Sequence, residues 1–174
     1  ISDEGLLDLA AVASRHDSSD PLDSAILHAV AASGRPQAAA EVLETFPFTE
    51  DSRREIAVFR DHDGAVLAAT KGSPEVILPM STLSETERAA WDRQVIALAD
   101  DGHKVVACAW RVLDGGEWAG GEPAHGYRFA GLLAFEDPVR EGVADAIATC
   151  RDAGIHIVMV TGDNKITAAA VGKK

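Results

Sequence analysis

Residues 56–72, Ile-Ala-Val-Phe-Arg-Asp-His-Asp-Gly-Ala-Val-Leu-Ala-Ala-Thr-Lys-Gly, contain the clearest fold signal in the chain. Two apolar runs, residues 56–60 and 65–71, flank a polar Asp-His-Asp-Gly segment. An Asp-Gly pair between strand-like runs is typical of a tight hairpin connection, because glycine adopts the positive φ that such turns need. This stretch therefore predicts two antiparallel strands joined by a short turn.

Further strand signals lie on both sides of this hairpin. Residues 45–49, 104–111 and 128–135 are apolar or extended runs of strand length. Pro47 indicates an edge position for the first of them, since proline cannot donate a ladder hydrogen bond. The pattern predicts an α+β fold over residues 1 to about 130, a mostly antiparallel sheet flanked by helices.

Helix signals supply the layers that should cover this sheet. Asp20-Pro21 is typical of an N-cap followed by proline at the first helical position, and Ser73-Pro74 repeats the pattern. Ser84-Glu85-Thr86-Glu87 has capping-box spacing and predicts a longer helix. The faces expected to be buried are Leu22, Ile26 and Ala29 in the first helix and Trp91, Val95 and Leu98 in the last.

The pattern changes near Gly131. Residues 138–153 predict an amphipathic helix capped by Asp137, and residues 155–160 a continuous apolar strand covered on both faces. Thr161-Gly162-Asp163 then leads into another helix. Because strand–helix alternation opens a doubly wound sheet, we expect residues 131–174 to be part of a second, α/β domain.

Composition excludes several classes of partner. The formal net charge of -12 disfavours nucleic acid and anionic lipid surfaces, whose phosphates would be repelled. A small anion such as ATP can still bind where a few basic side chains converge, with Mg²⁺ neutralising part of its charge. Neither the six histidines nor the two cysteines have zinc-ligand spacing, so no metal site is expected. No apolar run reaches the roughly 18 residues of a membrane span, so direct membrane contact is not expected.

Four segments, taken in order, resemble the nucleotide-binding region of P-type cation-transporting ATPases. They are Asp20-Pro21-Leu22-Asp23-Ser24-Ala25-Ile26, Phe46-Pro47-Phe48, Lys71-Gly72-Ser73-Pro74-Glu75, and Asp137-Pro138-Val139-Arg140 followed by Thr161-Gly162-Asp163. The third is similar to the family's Lys-Gly-Ala-Pro-Glu motif, with serine for alanine. The last pair is similar to its Asp-Pro-Pro-Arg hinge, with valine for the second proline, and to its Thr-Gly-Asp motif.

The resemblance implies a nucleotide-binding domain at residues 1–130 and, at 131–174, a piece of a phosphorylation domain of haloacid-dehalogenase-like fold. The parent would be an ATP-driven cation translocase at the cytoplasmic face of a membrane, using ATP and Mg²⁺. This chain's partners would be the phosphorylation, actuator and membrane domains. The family's Asp-Lys-Thr-Gly-Thr and Gly-Asp-Gly-Val-Asn-Asp motifs do not occur here. We therefore expect an excised part that binds ATP but does not turn it over.

The resemblance assigns the ATP contacts to individual residues. Phe48 would stack on adenine, although a core aromatic is the commoner fate of phenylalanine. Asp23 would accept a hydrogen bond from the adenine amino group, the alternative being a solvated first-turn carboxylate. Lys71, with Gly72 allowing close backbone approach, would line the adenosine pocket.

Three arginines complete the predicted ATP site. Arg53 or Arg54 matches a basic pocket residue, with the register open by one, and a surface arginine is the alternative. Arg111 matches an arginine near ribose and phosphates, the alternative being a strand-end surface charge.

The second predicted region has supporting rather than catalytic roles. Asp137 and Arg140 would form the hinge between the two domains, with an N-cap and a solvated helix residue as the alternatives. Thr161, Gly162 and Asp163 would lie beside the phosphorylation site, beyond the carboxyl end of a strand.

Two other functions compete with the pump. A stand-alone, noncatalytic nucleotide-binding module would share every adenosine-pocket residue. A haloacid-dehalogenase-type phosphatase needs an Asp-x-Asp nucleophile after a buried strand. The match at Asp61-His62-Asp63 lies in a predicted hairpin turn, which argues against that role.

Overall fold

A computed structural model describes residues 2–17, 19–34, 40–113, 118, 120–136, 139–162 and 165–172. It contains the helices α1 (Asp3–Val12), α2 (Pro21–Ala32), α3 (Pro74–Met80), α4 (Glu85–Asp100), α5 (Val143–Asp152) and α6 (Lys165–Val171). Its strands are β1 (Glu41–Phe46), β2 (Arg54–Arg60), β3 (Val66–Gly72), β4 (Lys104–Val112) and β5 (Arg128–Phe135).

The five strands form one sheet in the order β1-β2-β3-β4-β5, so β1 is an edge strand. It covers Glu41–Phe46 rather than the predicted residues 45–49, and it ends just before Pro47, which cannot donate a ladder hydrogen bond. The pairs β1–β2, β2–β3 and β3–β4 are antiparallel. The hairpin turn forms where the sequence predicts it: the Asp61 amide donates to the Ala65 carbonyl at 3.0 Å and Gly64 has φ 84. The α+β prediction is therefore confirmed.

Successive side chains of a strand point to opposite faces of the sheet, and both faces are covered. On one face, Ile56 and Val58 of β2 pack with Ala107 and Ala109 of β4, Ile77 of α3 and Tyr127, which are all buried. On the other, Phe59 of β2 and Ala69 of β3 pack against Ala13, just after α1. Neighbouring residues of one strand therefore point into different environments, which decides where the candidate site residues lie.

The helix starts agree with the sequence. The Leu22 amide donates to Asp20 Oδ1 at 2.8 Å, Ser73 precedes Pro74 as the N-cap of α3, and Ser84 and Glu87 form a reciprocal capping box.

The buried faces of α2 and α4 differ from the prediction. α2 buries Asp23, Ile26 and Val30 rather than the Leu22–Ile26–Ala29 face, and Ala99 is the buried residue of α4. The buried α2 face thus includes a carboxylate, and Asp23 forms an ion pair with Lys71 there.

The chain divides into two compact units, Ile1–Ala90 with Val106–Leu133, and Trp91–Val105 with Ala134–Lys174. In the second unit the structure departs from the sequence analysis. Residues 155–160 are not a strand but an exposed segment, in which Val158 and Val160 are largely open to solvent. A strand requires a hydrogen-bonded neighbour, and the described part of this unit provides none. The preceding helix begins at Val143 rather than at 138, after Gly142 in the left-handed region.

Candidate functional site

The connection between β1 and β2 exposes an aromatic ring and a cation. Phe48 is 53% exposed, whereas Phe46, two positions earlier, packs against the buried core. The turn is closed by the Arg53 amide, which donates to the Thr49 carbonyl at 2.8 Å, and by hydroxyl contacts between Thr49 and Ser52. Phe46 thus occupies the core position, and the Phe48 ring is available to a ligand.

Arg53 has an unusual backbone conformation that its neighbours hold in place. Its φ of 47 lies in the left-handed region, which costs a residue with a side chain roughly 1 kcal/mol or more. The Arg53 carbonyl accepts a hydrogen bond from the Ser73 amide at 2.9 Å. A Cβ at Gly72 would lie 2.5 Å from that carbonyl, so the arrangement needs glycine there. Gly72 therefore positions Arg53, and the Arg53 side chain is exposed.

Asp23 and Lys71 meet in a buried ion cluster on the opposite side of β3 from Thr70. Lys71 Nζ lies 2.6 Å from Asp23 Oδ1 of α2 and 2.6 Å from Glu55 Oε2 of β2. Lys71, Asp23 and Glu55 are 8%, 2% and 5% exposed. The ammonium is therefore bonded to two carboxylates, and Asp23 is neither solvated nor open to a ligand in this conformation.

The pKa of Lys71 reflects both its burial and its partners. Desolvation is the largest single influence and lowers the pKa, but hydrogen bonds and charge interactions with Asp23 and Glu55 together outweigh it. The pKa of Lys71 is raised above its ordinary 10.5, so the lysine is charged at neutral pH. Burial also raises the pKa of the neighbouring Cys108 thiol to about 12, with the Lys71 charge opposing the shift.

Arg15 balances the charge of this cluster. Its Nε lies 3.2 Å from Glu55 Oε1, with the arginine side chain 43% exposed. Glu55 Oε1 is buried and has no hydrogen bond of good geometry, so this contact is an ion pair by distance and not a directed bond. The ion pairs of Arg15 and Lys71 with Glu55 and Asp23 thus join α2 and the segment after α1 to the sheet.

Arg54 and Arg111 lie on the other face of the sheet, the one that contains Ile56 and Ala109. Arg54 donates to Glu122 Oε1 from Nε at 2.9 Å and from Nη2 at 2.5 Å. Arg111 Nη1 donates to the His125 carbonyl, and its Nε is buried without a hydrogen-bond partner among the described residues. The buried Tyr127 hydroxyl donates to the Pro123 carbonyl at 2.8 Å. Burial raises the pKa of Tyr127, the charges of Arg111 and Arg54 oppose that shift, and Glu122 adds to it.

The predicted ATP residues therefore fall into three groups. Phe48 and Arg53 share an exposed turn, next to Gly72. Asp23 and Lys71 share a buried cluster. Arg54 and Arg111 contact the segment at residues 122–125.

Sequence reasoning missed Glu55, Arg15 and Glu122. The position of Glu55 could have been predicted from the hairpin turn. Once Asp61 and Ala65 close the turn, the register of β2 and β3 pairs Glu55 with Lys71.

The supporting residues of the second unit are only partly described. Asp137 and Asp163 lie outside the described residues. Arg140, Thr161 and Gly162 are exposed, and the Arg140 carbonyl accepts a hydrogen bond from the Val143 amide at 3.2 Å. Their predicted roles stay predictions.

The described residues include no group of three or more His, Cys, Asp or Glu side chains placed to hold a metal ion. None of their helices has both the length and the apolar character needed to cross a membrane.

An adenine nucleotide needs an apolar face for its base and cations for its phosphates. The exposed Phe48 ring and the exposed Arg53 guanidinium on one turn provide both kinds of group. Base–aromatic stacking is worth about 1–3 kcal/mol, and arginine is well suited to phosphate. The β1–β2 turn therefore exposes both kinds of group, whereas the buried Lys71 ammonium already has two carboxylate partners.

Comparison with known proteins places most of the chain in one family. The family model described as P-type ATPase, cytoplasmic domain N, matches residues 8–142. A calcium-transporting ATPase of Bacillus subtilis (strain 168) is 32% identical over 88% of this chain and 19% of its own length.

Two further relatives are a calcium-transporting ATPase, PAT1, of Dictyostelium discoideum and a sodium/potassium-transporting ATPase subunit alpha-B of Artemia franciscana. The first is 33% identical over 76% of this chain and 13% of its own length. The second is 32% identical over 73% of this chain and 15% of its own length. The chain thus spans less than a fifth of the length of these relatives.

Proposed function

Because the chain belongs to the family of P-type ATPase cytoplasmic N domains, we propose that it binds ATP for phosphoryl transfer in a larger cation pump. The single observation that carries this proposal is the exposed ring of Phe48, on the same turn as the exposed Arg53. Adenine would stack on the ring, and the phosphates would extend toward the arginine. Similarity to calcium- and sodium/potassium-transporting ATPases favours the pump over a stand-alone nucleotide-binding module.

The other predicted residues have different parts in this proposal. Gly72 allows the close approach of the Arg53 carbonyl. Arg54 and Arg111 supply further positive charge from the face of β2–β4 opposite Asp23 and Lys71. Asp23 and Lys71 shape the adenosine end through their ion pair, because the Lys71 ammonium already has two carboxylate partners. We propose residues 1–130 as the nucleotide-binding domain and 131–174 as part of a haloacid-dehalogenase-like phosphorylation domain.

In the parent pump, phosphoryl transfer would go to an aspartate that this sequence does not contain. Mg²⁺ bound to the nucleotide would neutralise phosphate charge, while this chain binds the adenosine and orients the phosphates. Its contribution is proximity, because a bound nucleotide reacts within one molecule instead of by collision. Asp137, Arg140, Thr161, Gly162 and Asp163 are proposed to support domain closure and the phosphorylation site. The chain alone is proposed to be inactive, and its place is the cytoplasmic face of a membrane.

Calorimetric titration with Mg-ATP tests the proposal. We expect a Kd between micromolar and millimolar, about -8 to -4 kcal/mol. Phe48→Ala should weaken binding by about 1–3 kcal/mol, roughly fivefold to 150-fold, through loss of stacking. Phe48→Trp should retain binding. Val42→Ala is the matched control, because Val42 is an equally exposed apolar side chain on β1. Equal affinity of the parent and Phe48→Ala chains would refute the proposed function.

A further inference from the structure

Glu122 binds the first arginine of β2. Both Arg54 contacts go to one oxygen, Oε1, at 2.9 and 2.5 Å. The pair is only partly shielded, with the Arg54 and Glu122 side chains 21% and 37% exposed. Residues 54 and 122 are far apart in sequence, so the contact joins the segment before β5 to the start of β2. Arg54 follows Arg53 directly and is thus next to the proposed phosphate-binding turn.

The segment that carries Glu122 is attached to the sheet by other contacts as well. The Trp118 ring packs edge-on against Phe46, with centroids 6.2 Å apart, and Trp118 Nε1 donates to the Gly121 carbonyl at 3.2 Å. The Tyr127 hydroxyl donates to Pro123, and Arg111 donates to His125. Because these contacts do not involve Glu122, its carboxylate can leave Arg54 while the segment stays in place.

We propose that Glu122 is an internal competitor of the nucleotide, whose carboxylate occupies the Arg54 guanidinium that a phosphate group would otherwise bind. The inference rests on the proposed function and adds an affinity-setting residue to it. A carboxylate and a phosphate oxygen make the same charge-assisted bond to guanidinium, so they exclude each other there. A partly exposed ion pair is weak enough to exchange, because water and salt screen it. Nucleotide binding then includes release of Glu122 from Arg54.

The test is Glu122→Gln, which keeps the size of the side chain and removes its charge. We expect Mg-ATP and inorganic tripolyphosphate each to bind about threefold to fivefold more tightly, because Arg54 is released. Adenosine, which has no phosphate, should gain nothing. The matched control is Glu41→Gln, since Glu41 is also an exposed carboxylate facing a β2 arginine, 3.5 Å from Arg60 Nε. It lies at the far end of β2 and should leave ATP affinity unchanged.

A double-mutant cycle identifies Arg54 as the group released. In an Arg54→Gln background, Glu122→Gln should give no gain, because no guanidinium remains to be released. An unchanged ATP affinity in Glu122→Gln, or an equal gain with and without Arg54, would overturn the inference. These outcomes differ from failure of the proposed function, in which no Phe48-dependent ATP binding occurs in the parent chain.

Discussion

Replacing Lys71 with methionine should strongly destabilise the chain, because two buried carboxylates lose their shared cation. Removing one partner of a buried ion pair costs about 3–5 kcal/mol. Asp23 loses the ammonium that lies 2.6 Å from its Oδ1, whereas Glu55 keeps Arg15 at 3.2 Å from Oε1. We therefore expect a loss toward the lower end of that range, about 3–4 kcal/mol at pH 7. This is a large part of the 5–15 kcal/mol typical of whole domains.

Urea unfolding followed by circular dichroism measures this loss. With an m-value of about 1–3 kcal/mol/M, the midpoint should fall by at least about 1 M. Lys104→Met is the control, because Lys104 is an exposed lysine on β4, and it should change stability by less than about 0.5 kcal/mol. Adding Asp23→Asn and Glu55→Gln to Lys71→Met should recover part of the loss, since the two buried carboxylate charges that Lys71 faced are then removed. Equal stabilities of the Lys71 and Lys104 variants would refute the reasoning.

The same cluster gives a pH dependence of defined sign. The folded pKa of Lys71 lies above its unfolded value of 10.5. Its stabilising contribution is therefore complete below pH 10.5 and is lost as the pH rises through the folded pKa. The difference in stability between the parent chain and Lys71→Met should be constant near neutral pH and shrink above pH 10.5.

Two substitutions test the geometry of the β1–β2 turn. Arg53→Gly removes the cost of an arginine in the left-handed backbone region, so stability in urea should stay level or rise by up to about 1 kcal/mol, while ATP affinity should fall. A loss of both stability and ATP affinity would contradict the role assigned to Arg53. Gly72→Ala places a Cβ 2.5 Å from the Arg53 carbonyl and should cost about 1–3 kcal/mol in the same assay, whereas a neutral result would mean that the approach is not rigid.

Local signals in the sequence predicted helix starts and a hairpin turn of the first unit, but not the bounds of β1 or the buried face of α2. The Asp20-Pro21 start, the Ser84–Glu87 capping box and the hairpin at residues 61–64 each depend on a few adjacent residues, and each is confirmed. The prediction at residues 155–160 was wrong because a parallel strand depends on distant partners. An apolar run shows that a segment could be buried, but it does not supply the neighbours that bury it.

The candidate site was predictable only in part for the same reason. Family resemblance selected Phe48, and the structure leaves its ring exposed. Asp23 and Lys71 lie in an ion cluster that also needs Glu55. The position of Glu55 follows from strand register and not from any motif. The pairing of Arg54 with Glu122 joins distant segments and had no local signal. The sequence therefore identified the basic residues of the candidate site, but it did not show that Lys71 and Arg54 are paired with carboxylates.

Contact between adenine and Phe48 is the central claim, and intermolecular nuclear Overhauser effects measure it directly. With aromatic side chains isotopically labelled and Mg-ATP near saturation, the account predicts cross-peaks between the adenine H2 and H8 protons and the Phe48 ring. Cross-peaks to another aromatic ring, with none to Phe48, would contradict it.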